Sequence, residues 1–424
     1  MNKLIFGCLA IMITVLIFGC GSPPLALPEQ GAKPVEQEPV STTTVAVVES
    51  FSNSPLAPPT PIATKTTEET KPAPEVIPTL AGPFPSGPKV VYSENIHDGA
   101  VTFWAASPIN PAYRIPLAKG SDPNDFGTHA ALSPDGKMIG YTALPEWNYD
   151  NRLAADLWLV TTDGNEQRLL AEGIDIGGPG YPYWSPDNRY IAFVRSTETE
   201  DTYKTTLWMV DIQTGTETML VQPGPQDYVW PFGWSKDGDG IYYKHISGTE
   251  YIVKNFSLKD KKSNSVISLS IFTKRCDLSP DSTRLLCTVL VDRQNDKYDL
   301  TIFSLQGKET PNIIRQFQGE HFIAIWGPDE QSITINDNLP AAENATLRIV
   351  ESNTKSTMDI KLQTSGNYIP RSWSLDGIWL ATQSVSQSHR DLYFVSNNGQ
   401  TVNRLPTQGA TNILGWLTTD LASK

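Results

Sequence analysis

From Lys89 to Trp416 the chain is written in short apolar runs separated by clusters of Ser, Pro, Asp, Gly and Asn. The stretch that begins at Pro182 shows the plan. Tyr183-Trp184 ends a first run, and Ser185-Pro186-Asp187-Asn188 supplies a tight turn. Arg189-Tyr190-Ile191-Ala192-Phe193-Val194 alternates as a second strand. After a loop, Thr206-Leu207-Trp208-Met209-Val210-Asp211 reads as a third. Gln213-Thr214-Gly215 turns the chain into a fourth, Glu217-Thr218-Met219-Leu220-Val221. In the first turn proline presets φ, Asp caps nearby backbone N–H groups, and Gly or Asn takes the left-handed position. Four short antiparallel strands per period predict an all-β chain built of β-propeller blades.

The same anchor and turn recur about every forty-seven residues, a period that signals a repeat architecture. In order they are Leu132-Ser133-Pro134-Asp135-Gly136, Trp184-Ser185-Pro186-Asp187-Asn188, Trp234-Ser235-Lys236-Asp237-Gly238 and Leu278-Ser279-Pro280-Asp281-Ser282. Trp326-Gly327-Pro328-Asp329-Glu330 and Trp373-Ser374-Leu375-Asp376-Gly377 follow, and Trp416 stands alone. Lys89-Val90-Val91-Tyr92, Val101-Thr102-Phe103-Trp104 and Tyr113-Arg114-Ile115-Pro116-Leu117 supply strands with no anchor before them. The run Ile413-Leu414-Gly415-Trp416 supplies an anchor strand with nothing after it. Joined, these pieces complete a seventh four-stranded blade, with the C-terminal strand innermost, and close the ring without an open edge. Six blades are the alternative if the terminal pieces do not pair.

The sequence Trp-Ser-Pro-Asp-Gly, a short spacer, Ile-Ala-Phe, then Leu-Trp-x-Val-Asp resembles the TolB-like β-propeller repeat. The resemblance covers Lys89 to Trp416, best at Leu132, Trp184 and Trp373. At Leu278 and Trp326 the turn departs from the pattern, with Ser282 or Glu330 for Gly and Gly327 for Ser. The repeat occurs in the periplasmic Tol translocation protein and in the propellers of prolyl-oligopeptidase-type enzymes. The resemblance implies a scaffold, and the N-terminal segment implies that the bulk of the chain lies outside the cytoplasm. Only Leu417–Lys424 follow Trp416, so the α/β domain that carries the catalytic triad in those enzymes is not expected.

The N-terminus begins Met1-Asn2-Lys3, then runs apolar from Leu4 to Phe18 and ends Leu16-Ile17-Phe18-Gly19-Cys20. The apolar run has signal-peptide length and is short for a membrane span. It resembles the bacterial lipoprotein signal, which implies cleavage before Cys20 and acylation of that cysteine, with membrane lipid as a partner. An uncleaved N-terminal anchor is the alternative. Residues 1–19 are thus assigned to the signal and residues 20–88 to a Pro/Thr-rich disordered tether. Fifteen of the 33 prolines fall between Gly21 and Pro88, and such a composition cannot bury enough apolar surface to fold alone. Extended, it would reach on the order of 100–200 Å. The propeller takes residues 89–424. Gly21 lacks the Asp associated with inner-membrane retention, which implies the outer membrane in a diderm cell.

A net charge of -13 and no run of Lys or Arg argue against a nucleic-acid partner. His97, His129, His245, His321 and His389 are scattered, and no metal-ligand spacing, nucleophile elbow, P-loop or dinucleotide fingerprint occurs. No catalytic residue, metal or cofactor is assigned. Cys276 and Cys287 flank a hairpin centred on Asp281-Ser282; in that register they face each other, as Leu278 faces Leu285. A cross-strand disulfide or two buried thiols both fit. The aromatic loops supply candidate ligand-facing residues: Trp147, Tyr149, Arg152, Tyr181, Tyr228, Trp230 and Tyr368. The favoured reading is a lipid-anchored scaffold that binds a protein or cell-envelope glycan. The alternative, a glycan hydrolase or lyase, needs paired carboxylates at the propeller mouth, with Asp150, Asp175 and Asp227 as candidates by position.

Overall fold

In the computed structural model, residues 85–95, 101–120, 129–143, 155–176, 182–198, 203–307, 309–319, 323–336, 346–362, 367–385 and 391–417 are described. These residues form strands and turns, with no helix among them. Their strands make seven four-stranded antiparallel sheets. Blade 1 pairs the C-terminal strand Ala410–Leu417 with Lys89–Asn95, followed outward by Thr102–Ala106 and Arg114–Lys119. Blades 2 to 7 span residues 130–174, 183–221, 228–269, 273–318, 324–361 and 367–405, each running from inner to outer strand in chain order. The seven-blade count therefore holds and the six-blade alternative falls. The closing register sets Val90 against Trp416 and Glu94 against Thr411.

The central strands of each blade bury both of their faces, whereas outer strands such as Lys262–Leu269 and Thr357–Lys361 are largely exposed. In blade 3, Ile191 and Phe193 pack toward blade 2, while Ala192 and Val194 pack toward blade 4. In blade 5, Leu285 and Cys287 face blade 4 while Leu286 faces blade 6. Val91 faces blade 2 while Val90 and Tyr92 face blade 7. Alternation here divides two seams rather than core from solvent, which explains the almost unbroken apolar runs. One hydrophobic cluster fills each of the seven seams, including that between blades 7 and 1.

The anchor tryptophans lock these seams. Trp184 Nε1 donates to the Ala131 carbonyl of the preceding blade (3.1 Å), and Trp234 Nε1 donates to that of Tyr183 (2.8 Å). Trp326 Nε1 donates to the Asp277 carbonyl (3.3 Å), and Trp373 Nε1 to Thr334 Oγ1 (2.8 Å). Each acceptor lies on the preceding blade, so the indole fills the wedge and also fixes its neighbour's position. The turn after each anchor consumes its own aspartate. Ser133 Oγ donates to Asp135 Oδ1 (2.8 Å), which also accepts the Lys137 N–H (3.1 Å). Ser374 and Asp376 repeat the pair at 2.6 Å. Ser282 (φ 60°) and Glu330 (φ 62°) keep the left-handed turn position that Gly377 (φ 68°) occupies without strain, at a cost of about 1–2 kcal/mol each.

The closing blade also holds a buried ion pair. Arg114 Nη1 donates to Glu94 Oε2 (3.2 Å) and to Tyr92 Oη (3.2 Å), with its guanidinium over the Trp104 ring. Glu94 Oε1 accepts the Gln408 N–H (2.8 Å) just before the C-terminal strand. One carboxylate thus ties the first, third and last strands of the blade.

A paired substitution tests the tryptophan lock. Trp234 stacks on Tyr190 and Trp416 lies edge-on to Phe394, but the Trp416 Nε1 is buried with no acceptor among the described residues. Trp234→Phe is expected to lose about 1–2 kcal/mol in urea unfolding because it strands the Tyr183 carbonyl. Trp416→Phe is expected to cost distinctly less. Equal losses would contradict the lock.

Candidate central-channel site

All seven inner strands face one central cavity of about 920 Å³, within the range of organic-ligand sites. Its wall is chiefly apolar, with Ala131, Tyr183, Pro231, Ile325, Pro370 and Ile413 from six different blades. Thr288 and Asn412 add neutral polar groups, and the remaining exceptions are charged. Lys244, Lys274, Arg275 and Arg371 line the cavity, with Asp277 as the one carboxylate among the described lining residues. The chain as a whole is acidic, so this concentration of cations departs from the bulk composition.

Local backbone geometry delivers these side chains. Four inner strands carry a β-bulge just before the anchor. In blade 4 the register passes from Pro231–Tyr243 to Gly233–Tyr242, which leaves Phe232 extra. In blade 7 it passes from Pro370–Thr382 to Ser372–Ala381, which leaves Arg371 extra. In blade 1 the extra residue is Leu414, and in blade 5 the irregularity spans Lys274 and Arg275. Each of these residues lines the cavity. A regular strand would send neighbours to opposite faces; a bulge re-aims one of them. That is how consecutive Lys274 and Arg275 both reach the channel.

Each cation has a distinct setting. Arg371 donates from Nε and Nη2 to Gln383 Oε1 (3.1 and 2.7 Å), and Gln383 Nε2 donates to the Thr411 carbonyl (2.6 Å). The closing strand therefore positions the guanidinium. Lys244 stands over the Trp230 ring at 6.0 Å, and burial holds its ammonium below the ordinary lysine range. Next to Arg275, a disulfide joins Cys276 to Cys287 in the register the hairpin implied, Cys276 against Cys287 and Leu278 against Leu285. It staples the strand just beyond the bulge. Asp277 meets channel water yet is ringed by protein, and desolvation raises its carboxyl to about 6, with the Arg275 charge and the Leu278 N–H opposing.

The residues singled out from sequence separate in the fold. Tyr368 is 1% exposed, edge-on to Tyr393 at 4.9 Å, and packs the seam between blades 6 and 7 rather than a ligand-facing surface. Trp230 is buried in a seam cluster, but it also lines the cavity. Tyr228 is half-buried in the same cluster. Trp147, Tyr149, Arg152, Tyr181 and Cys20 lie outside the described residues, as do His97, His321, His389 and Asp150. Burial holds the His129 imidazole below its usual range. Of the carboxylates considered for hydrolysis, Asp175 is fully buried. Asp227 accepts from His245 Nε2 (2.9 Å), and that hydrogen bond, aided by Ser247 and opposed by burial, holds it below the usual carboxylate range. The sequence reading missed Lys244, Lys274, Arg275, Arg371 and Asp277. The one trace in the sequence is a charged residue shortly before an anchor, where other repeats place Phe232, Ala324 or Leu414; it covers Lys274, Arg275, Asp277 and Arg371, whereas Lys244, on the second strand of its blade, leaves none.

No family model matches the chain, and no curated protein sequence matches it. Solved structures do. An oligogalacturonate lyase from Vibrio parahaemolyticus shares 11% identity over 76% of this chain and 87% of its own, with a TM-score of 0.52. One of two prolyl endopeptidases analysed together shares 12% identity over 77% of this chain, with a TM-score of 0.52; the chain covers 50% of that protein's length. TolB from Acinetobacter baumannii shares 16% identity over 80% of this chain and 68% of its own, with a TM-score of 0.43. The likeness to the lyase and the endopeptidase is one of fold. The propeller that the repeat resemblance implied is the propeller observed.

The Asp277 carboxyl gives a test of the channel's electrostatics. Its folded value lies above the unfolded one, so the folded state holds the proton more tightly, and the stability lost to its ionisation accrues as pH rises from about 4 through 6 and is complete above that. Asp277→Asn is expected to raise stability at pH 7.5 by about 1 kcal/mol, a figure reduced for screening by channel water. The gain should fade as pH drops through 6 toward 4.5. A gain independent of pH would contradict the assignment.

Proposed function

We propose that the chain is an extracytoplasmic, lipid-anchored binding protein whose propeller presents its central channel to a protein or cell-envelope glycan. In this reading residues 1–19 are a signal peptide, Cys20 carries the acyl chains, and residues 20–88 hold the propeller away from the membrane. Several acyl chains on one cysteine anchor firmly, since each buried methylene contributes about 0.8 kcal/mol. The observation that carries the binding role is the gathering of four cations, against one described carboxylate, on a largely apolar channel wall inside an acidic protein. An apolar cavity with a few fixed polar groups is the usual form of a recognition site.

A glycan-cleaving role is less well supported. Acid–base cleavage needs two accessible carboxylates several ångströms apart, whereas Asp175 is buried and Asp227 is engaged by His245. Asp277 is the only carboxylate among the described lining residues.

Anchoring is tested in a bacterial host by labelled palmitate and fractionation. The chain is expected to incorporate label and remain with membranes, in the outer membrane of a diderm host, and Cys20→Ser is expected to remove the label. An unlabelled chain that stays membrane-bound at its full precursor mass would identify an uncleaved N-terminal anchor instead.

A further inference from the structure

Resting on the binding reading above, we infer that the channel takes an acidic oligosaccharide. Arg275, Lys274 and Arg371 receive its anionic groups, with Lys244 as a fourth cation on the same wall. Three features point to this chemistry. The cations are spread over blades 4, 5 and 7 rather than gathered at one point, which suits charges repeated along a chain better than a compact polyanion. Apolar wall, with Pro231, Ile325, Pro370 and Ile413, separates them and offers carbon surface to the C–H faces of sugar rings. The arginine fork binds a carboxylate or a phosphate through paired N–H donors. Asp277 then serves as an acceptor for hydroxyl groups. An acidic peptide has few hydroxyls to offer it.

The positioning is built in rather than left to mobile side chains. Arg371 is set by Gln383 and, through it, by Thr411 of the closing strand. Lys274 and Arg275 sit on a bulge next to the Cys276–Cys287 disulfide. A ligand that meets prepositioned cations loses less side-chain entropy on binding.

The test is calorimetric titration of the full-length protein in detergent. The probes are uronate trisaccharides of galacturonate, glucuronate and mannuronate, their neutral methyl esters, a phosphorylated trisaccharide and a hexaglutamate peptide. At least one acidic trisaccharide is expected to bind, with the uronate and phosphate arms telling which anion is preferred. Its neutral ester should bind at least tenfold more weakly. Arg275→Gln and Arg371→Gln are each expected to weaken binding about tenfold. Arg275 is exposed to channel water, so an unchanged melting temperature for Arg275→Gln separates lost contact from lost fold. The inference is overturned if no acidic sugar binds, if the esters bind as well as the acids, if hexaglutamate binds more tightly than every sugar, or if Arg275→Gln binds unchanged. A neutral glycan or protein bound in spite of such a result leaves the binding reading standing. New reducing ends released from a bound probe support the anion site and remove the non-catalytic reading.

Discussion

The structure depends on the burial of both faces of every blade against its neighbours. A single four-stranded sheet from this chain would expose two apolar faces, because Ile191 and Ala192, or Leu285 and Leu286, point to opposite seams. No blade has a private core. The stable unit is therefore the ring, and its closure is a requirement of packing rather than an ornament of topology. The anchor indoles serve the same end, since Trp184, Trp234, Trp326 and Trp373 each donate to a group on the blade before. The Arg114–Glu94 pair and the Gln408 N–H bond then secure the blade where the two ends of the propeller meet.

The channel is a by-product of that ring, and its chemistry comes from the irregularities of the innermost strands. Strands that converge on an axis have an edge facing the cavity, and a bulge is the local device that turns a side chain toward it. Phe232 and Leu414 use the device to fill space. Lys274, Arg275 and Arg371 use it to place charge. Recognition is thus added to the scaffold at single positions without disturbing the seams, as expected when function is grafted on a widely shared fold.

What the sequence made legible follows from the same physics. The two-residue turn at Asp281-Ser282 fixes register, so the facing of Cys276 and Cys287 could be read directly. The unpaired run at Ile413–Trp416 and the unanchored run at Lys89–Tyr92 could be matched because each lacks what the other supplies. Ser282 and Glu330 obscured two repeats by residue type, yet their turns keep the same left-handed backbone. Surface and core were harder to separate. In strands buried on both sides, alternation does not mark the outward face, and Tyr368 read as a ligand-facing aromatic although it packs a seam. The bulges left no local signature, because they depend on how each strand meets the curvature of the ring. The channel cations therefore stayed hidden among residues dispersed over the chain.

The central claim is that the C-terminal strand completes the ring and that the seams then unfold as one. Its most direct test is native-state hydrogen exchange on the full chain and on a chain that stops before Ala410. The account predicts that truncation strips protection from Val90 and Tyr92, whose seam contains Trp416, and spreads lost protection to distant blades with a broadened thermal transition. Undiminished protection in blade 1 and a single unshifted transition would contradict it.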